Sequence, residues 1–110
     1  MSPVPAKKHV VLAGRREGPL ARASEALEGA GYLATLVGTL EGLDAIPAAP
    51  PVDLVVLEDE FGPEGGLMAA RHLRSLPRWR SVSIMVVVPA GSTHLEECLV
   101  SGINDFLLAP

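Results

Sequence analysis

Short apolar runs, rich in valine and leucine, recur along the chain and are separated by stretches of mixed polarity. Such uninterrupted runs are typical of strands buried on both faces of a parallel sheet. They predict strands over residues 9–13, 32–37, 53–57, 83–88 and 105–108.

The segments between these runs carry helical spacing. Pro19 suits an early helix position, and Leu20, Ala23 and Leu27 follow at intervals of three and four residues, which marks one apolar face. Further helices are predicted over residues 39–46, 67–76 and about 92–100. Strands that alternate with helices predict a doubly wound, five-stranded parallel sheet of the α/β class, in which ligands collect at the carboxyl ends of the strands. We assign residues 1–8 to a flexible N-terminal arm and residues 9–110 to a single domain.

Composition narrows the class of protein. The chain has 110 residues, is 48% hydrophobic and 20% charged, and so has the apolar content for one folded domain. Its single cysteine, Cys98, cannot form an internal disulfide, which favours a reducing cytoplasm. No apolar run approaches the roughly 18 residues that cross a bilayer, so no membrane association is expected. The net charge of −4 argues against nucleic acid as a partner.

The charges are segregated along the sequence. No lysine or arginine lies between Arg22 and Arg71, whereas acidic residues are frequent in that stretch. Two interpretations stay open at this point, solvated faces and a binding patch. The acidic residues are Glu25, Glu28, Glu41, Asp44, Asp53, Glu58, Asp59, Glu60 and Glu64.

Three segments resemble the receiver domain of response regulators, the CheY-like family. DLVVLEDEFGPEGGLMAARHLRSLP is similar to the stretch from third strand to third helix, SVSIMVVVPA to the fourth strand, and SGINDFLLAP to the family's ending. The resemblance covers nearly the whole chain and implies a role in bacterial two-component signalling. It also implies a fifth helix after the last strand, which this chain, ending at Pro110, is expected to lack.

The resemblance implies that active receivers need an acidic pair after the first strand, an aspartate ending the third, a Ser or Thr ending the fourth and a lysine ending the fifth. The acids hold Mg²⁺ and the aspartate accepts the phosphoryl group, since phosphoryl transfer depends on positioning and charge neutralisation. Here the acidic pair falls on Ala13 and Gly14, or on Gly14 and Arg15 if the register shifts by one residue. The hydroxyl position falls on Val88 and the lysine position on Ala109. None of these residues supplies the required group, so the chain is expected to be a degenerate pseudo-receiver that is not an enzyme and holds no metal or other cofactor.

The phospho-acceptor position falls on Glu58 or Asp59. Asp53, five residues before Glu58, and Gly66, eight after it, favour Glu58, whereas Pro63 favours Asp59.

The acid at this position has several possible roles. Glu58 either imitates a phosphorylated aspartate or is simply a polar residue at a strand end. A related hypothesis pairs Arg15 or Arg16 with Glu58 or Asp59, so that a guanidinium takes the place of the metal.

Other candidate sites are weaker. The histidines His9, His72 and His94 lie on different elements without ligand spacing, so no metal site is expected. A partner-binding edge is suggested for His94, Leu95 and Phe106. A basic cluster either complements a helix dipole or presents Trp79 as an anchor for an acidic partner; it consists of Arg71, His72, Arg74, Arg78, Trp79 and Arg80.

These observations predict a non-catalytic, phosphorylation-independent protein-interaction module in bacterial signal transduction or cell organisation. The alternatives are an atypical receiver that binds a small ligand in the degenerate pocket, and weak phospho-acceptance at Asp59. Loss of a fifth helix would forfeit about 5–10 kcal/mol of apolar burial. We therefore expect self-association, as a homodimer, or binding to another protein.

Overall fold

The computed structural model describes residues 7–48 and 50–88, together with the backbone of residues 89 and 105–109. Every strand predicted from the sequence is present, and the boundaries of the described elements agree to within two residues. The helix expected over residues 92–100, and most of the N-terminal arm, lie outside the described residues. The elements are β1 (His9–Ala13), α1 (Pro19–Gly29), β2 (Leu33–Val37), α2 (Leu40–Asp44), β3 (Leu54–Glu58), α3 (Gly66–Arg74), a 3₁₀ turn (Pro77–Trp79), β4 (Ser83–Pro89) and β5 (Asp105–Ala109).

The five strands form one parallel sheet in the order β2-β1-β3-β4-β5. This arrangement confirms the predicted doubly wound fold. The chain reverses its direction of travel across the sheet between β1 and β3, which is where α/β sheets of this kind place their ligand sites. All five residues of β1 are buried, because β1 lies between β2 and β3.

Side chains alternate between the two faces of the sheet and form two cores. The larger core lies on the face covered by α3 and includes Val11, Leu57 and Val88. The smaller core lies on the face covered by α1, where Leu12, Leu20 and other apolar side chains pack together. The spacing of apolar residues in α1 follows from this contact, because only one side of the helix meets the sheet.

Trp79 belongs to the larger core and is only 1% exposed. Pro77 ends α3 as expected, but it also begins the 3₁₀ turn that directs the indole inward. The Arg78 guanidinium lies 4.5 Å from the centre of the indole ring and covers it. The prediction that Trp79 is an accessible anchor for a partner is therefore wrong.

Two arginines of the basic cluster bind main-chain carbonyls instead of facing a partner. Nη1 of Arg74 donates to three carbonyls that follow α3, at 2.7–3.0 Å. Arg78 donates to two carbonyls after α2. These side chains join the end of α3 to neighbouring loops, and the acceptors are Trp79, Arg80 and Val82 for Arg74, and Ile46 and Pro47 for Arg78.

At the amino ends of the strands, His9 is 3% exposed and fully hydrogen bonded. Its main-chain N–H donates to Oδ2 of Asp53 at 2.8 Å, and the N–H of Asp53 donates to the His9 carbonyl at 2.9 Å. The ring nitrogens lie 2.8 Å from Oγ1 of Thr35 and 3.3 Å from the carbonyl oxygen of Pro50. His9 and Asp53 thus fasten the start of β1 to the segment entering β3.

Candidate functional site

The candidate site lies at the carboxyl ends of β1 and β3. These strands are direct neighbours, with Ala13 opposite Leu57, so the residues that follow each strand meet at one edge of the sheet. β1 leads into Gly14 and Arg15, and β3 ends at Glu58. Sequence reasoning placed the degenerate acidic pair and the acceptor position here, and the structure brings Gly14 and Glu58 into contact.

Glu58 forms an ion pair with Arg15. Its Oε2 lies 3.5 Å from Nε of Arg15; the Glu58 side chain is 13% exposed, whereas that of Arg15 is 73% exposed. The structure confirms that an arginine of this loop reaches the strand-end acid, and it identifies the pair as Arg15 and Glu58. Because the guanidinium is mostly in water, the pair contributes only about 0–1 kcal/mol.

The other carboxylate oxygen, Oε1 of Glu58, is buried and has no hydrogen-bond partner. Leaving a buried acceptor unpaired costs about 1–3 kcal/mol. The oxygen occupies space that side chains at two glycines would need. A Cβ at Gly14 would lie 2.5 Å from Oε1, and a Cβ at Gly18 would lie 2.9 Å from it. The carboxylate therefore fills the space that a side chain at Gly14, one position of the expected acidic pair, would occupy.

The loop after β3 is held close to the strand end. The N–H of Asp59 donates to the Val87 carbonyl at 3.0 Å, and the N–H of Gly66 donates to the Asp59 carbonyl at 2.7 Å. A Cβ at Gly66 would overlap the carbonyl oxygen of Glu58, so only glycine permits this approach. Gly66, whose spacing in the sequence favoured Glu58, therefore packs directly on Glu58. This contact favours Glu58 as the acceptor position. That assignment stays a prediction.

Asp59 is half-buried, and its side chain makes no hydrogen bond or ion pair with the other residues that the structure describes. Sequence reasoning kept Asp59 as the alternative acceptor, and its position beside Glu58 leaves that alternative open.

Val88 does not face this cleft. Glu58 is opposite Val87 in the sheet register, and neighbours in register share a face. Val88 points to the other face, is fully buried and packs in the larger core. The residue beside Glu58 at the hydroxyl position is therefore Val87, and it also lacks a hydroxyl.

The remaining sequence-predicted positions are only partly described. Ala109 is paired with Pro89 at the end of β5, and Phe106 is paired with Val86. The side chains of Ala109 and Phe106 lie outside what the structure describes, as do His94 and Leu95 entirely.

The residues at this edge do not fit a magnesium ion. Mg²⁺ requires several oxygen ligands in octahedral geometry. Glu58 offers one carboxylate, which is already paired with a guanidinium, Asp59 adds one more, and Ala13 and Gly14 offer no side-chain oxygen. Within residues 7–48 and 50–88, no group of three or more His, Cys, Asp or Glu side chains is arranged to hold a metal.

No helix in the described part of the chain is long and apolar enough to cross a membrane. No protein-family model matches the sequence, and no curated protein matches it.

Solved structures do match the chain. The receiver domain of TorR, the response regulator of a TMAO respiratory system, is 27% identical, with a TM-score of 0.79 over 94% of this chain and 84% of that one. The Vibrio cholerae chemotaxis protein CheY4 is 17% identical, with a TM-score of 0.80 over 96% and 88%. The receiver domain of a sensor histidine kinase from Pseudomonas aeruginosa, with a magnesium ion in its active-site cleft, is 25% identical, with a TM-score of 0.73 over 96% and 87%. The strand order, the switch point and these likenesses lead to one conclusion: the chain has the fold of the CheY-like receiver domains of response regulators.

Proposed function

We propose that this chain is a non-catalytic, receiver-like protein-interaction module of bacterial signal transduction or cell organisation, and that it works without phosphorylation. The receiver fold supports a role in signal transduction. The observation that carries the finer proposal is the position of the Glu58 carboxylate, which lies against Gly14 and is paired with Arg15.

The electrostatics of the edge argue against phosphotransfer. A phosphoryl group in transfer carries charge that a divalent cation and a lysine normally neutralise. Here the acids that would recruit the cation are replaced by Ala13 and Gly14, and the lysine position is Ala109. The kinase receiver from Pseudomonas aeruginosa, which holds a magnesium ion in its cleft, is the contrasting case.

A small ligand in the degenerate pocket is the alternative that the geometry supports less. The space between Gly14, Gly18 and Glu58 is filled by the Glu58 side chain, whose Oε1 is buried. A ligand would have to displace that carboxylate.

We therefore propose that the module acts through protein contacts in the cytoplasm, with self-association as a homodimer and without nucleic acid or membrane.

The proposal is tested by incubating the chain with Mg²⁺ and a small-molecule phosphodonor and measuring its intact mass. We expect no species about 80 Da heavier, the mass of one phosphoryl group, while a phosphorylatable receiver treated in parallel gains that mass. The variant Asp59→Asn is the matched control. An adduct on the native chain that disappears in Asp59→Asn would establish Asp59 as an acceptor and overturn the proposal.

A further inference from the structure

Two oppositely charged loops adjoin at the carboxyl edge of the sheet. The first, here called the basic loop, is residues 15–22, which comprise the β1–α1 connection and the first residues of α1. It carries Arg15, Arg16 and Arg22, together with one acid, Glu17, around a recess of about 700 Å³. The second, the acidic loop, is residues 59–64 and carries Asp59, Glu60 and Glu64. The loops are neighbours because they follow the adjacent strands β1 and β3.

These charges do not neutralise each other within one chain. Among the described residues, the ion pair that joins the two strand ends is Arg15 with Glu58. Arg16, Arg22, Glu60 and Glu64 are exposed and form no ion pair with any other residue in the described part of the chain. Unpaired groups of both signs therefore lie in the segments that follow two neighbouring strands.

We infer that a second copy of this chain docks on this edge, with the basic loop of each copy facing the acidic loop of the other. A two-fold axis between the two loops makes the surface self-complementary, since each contact then occurs twice. The inference rests on the self-association included in the proposed function and specifies the surface that mediates it.

Charge complementarity distinguishes a second copy from other occupants. An anionic ligand or an acidic partner would satisfy the basic loop and leave Glu60 and Glu64 without counter-charges. A second copy satisfies both loops with one contact. Because exposed ion pairs are individually weak and screened by salt, this contact is expected to be sensitive to ionic strength.

The test is a charge swap measured by analytical ultracentrifugation at low and high salt. We expect dimers of the native chain whose dissociation constant rises with salt. The variants Arg16→Glu/Arg22→Glu and Glu60→Arg/Glu64→Arg should each raise the dissociation constant by about tenfold or more, since like charges then meet. An equimolar mixture of the two variants should form heterodimers at least as tightly as the native chain forms dimers.

Matched controls separate this effect from misfolding and from net charge. Lys8→Glu/Arg80→Glu makes the same charge change as Arg16→Glu/Arg22→Glu, but at the amino edge of the sheet, where both residues are exposed. This variant should retain the native dissociation constant. Thermal melts should show that all variants fold.

Each alternative outcome has a defined meaning. A native chain that is monomeric at every concentration overturns both the inference and the self-association in the proposed function. Dimers that persist unchanged in both charge variants overturn the docking edge and leave self-association standing. Weakening in only one variant, or weakening that mixing does not reverse, also overturns the inference.

Discussion

Each end of the sheet holds a polar side chain that is largely buried. The two side chains differ in how many of their polar atoms have hydrogen-bond partners. At the amino end, both ring nitrogens of His9 are within hydrogen-bonding distance of a partner, and its main chain is bound to Asp53. At the carboxyl end, Glu58 has one oxygen at 3.5 Å from an exposed arginine and another with no partner. One group is fully satisfied and the other is not.

This difference separates polar residues that stabilise the fold from polar residues that do not. Buried polar groups in native proteins are normally hydrogen bonded, and the exceptions concentrate where something other than stability decides the residue. His9 contributes to the joining of β1, β2 and the segment entering β3. Glu58 lies at the predicted acceptor position, and its burial costs stability.

The largest loss of stability is expected at the amino end of the sheet, where His9 is fully hydrogen bonded. His9→Ala removes the ring from its hydrogen-bond partners and leaves a cavity, which should lower the free energy of unfolding by about 3 kcal/mol. Chemical denaturation followed by circular dichroism measures it. The control is His72→Ala, since His72 is partly exposed and paired with Asp44 at 3.3 Å, and this variant should cost less than about 1 kcal/mol. Equal losses in the two variants would contradict the structural role of His9.

A smaller effect is expected from Gly14→Ala. The added Cβ would displace the Glu58 side chain, at a cost of about 1–2 kcal/mol. In a Glu58→Ala background most of that cost should vanish, because the obstacle to the added Cβ is the Glu58 side chain. A double-mutant cycle of unfolding free energies measures the coupling between the two substitutions.

Gly66→Ala is the matched control for this cycle. Its Cβ would meet the main-chain carbonyl of Glu58, so it should destabilise the protein in both backgrounds. Additive effects of Gly14→Ala and Glu58→Ala would show that the carboxylate does not occupy this position.

The smallest effect is expected from Glu58→Met, which keeps the length of the side chain and removes the unpaired buried oxygen. Stability should be unchanged or should increase by up to about 1 kcal/mol, because the weak ion pair with Arg15 offsets little of the desolvation cost. Thermal melts at neutral pH measure the change. A clear loss of stability would mean that Glu58 is as well satisfied as His9, and the contrast between the two ends would fail.

Local signals in the sequence predicted most of the fold. The strands are continuous apolar runs, and their alternation with helices determines a parallel sheet without further information. The pairing of a loop arginine with Glu58 was also predictable, because β1 and β3 end at the same edge and only Arg15 or Arg16 follows β1 closely.

Two site residues were misjudged for reasons of geometry. Val88 was taken as the hydroxyl position, but a shift of one residue along a strand moves a side chain to the opposite face, and only the register with β3 identifies Val87. Trp79 was offered, in one of two interpretations of the basic cluster, as an anchor for an acidic partner, and its burial excludes that role. The spacing of Leu76, Trp79 and Val82 is the signal that could have indicated an inward-facing indole.

The fastening of His9 to Asp53 was not predicted at all. The two residues are 44 positions apart in the sequence, and neither has a local motif. In the sequence, the spacing of Asp53 from Glu58 served to place the acceptor position, but its role at the sheet edge depends on which strands are neighbours.

The close contact between Gly14 and Glu58 restricts how this protein could acquire metal-dependent chemistry. A carboxylate introduced at position 14 would collide with the side chain already lodged there, and shortening residue 58 alone would leave a gap without supplying a ligand. Either substitution made first carries a penalty and brings no new activity. Two coordinated changes are the minimum, so stepwise mutation does not easily introduce such chemistry at this edge.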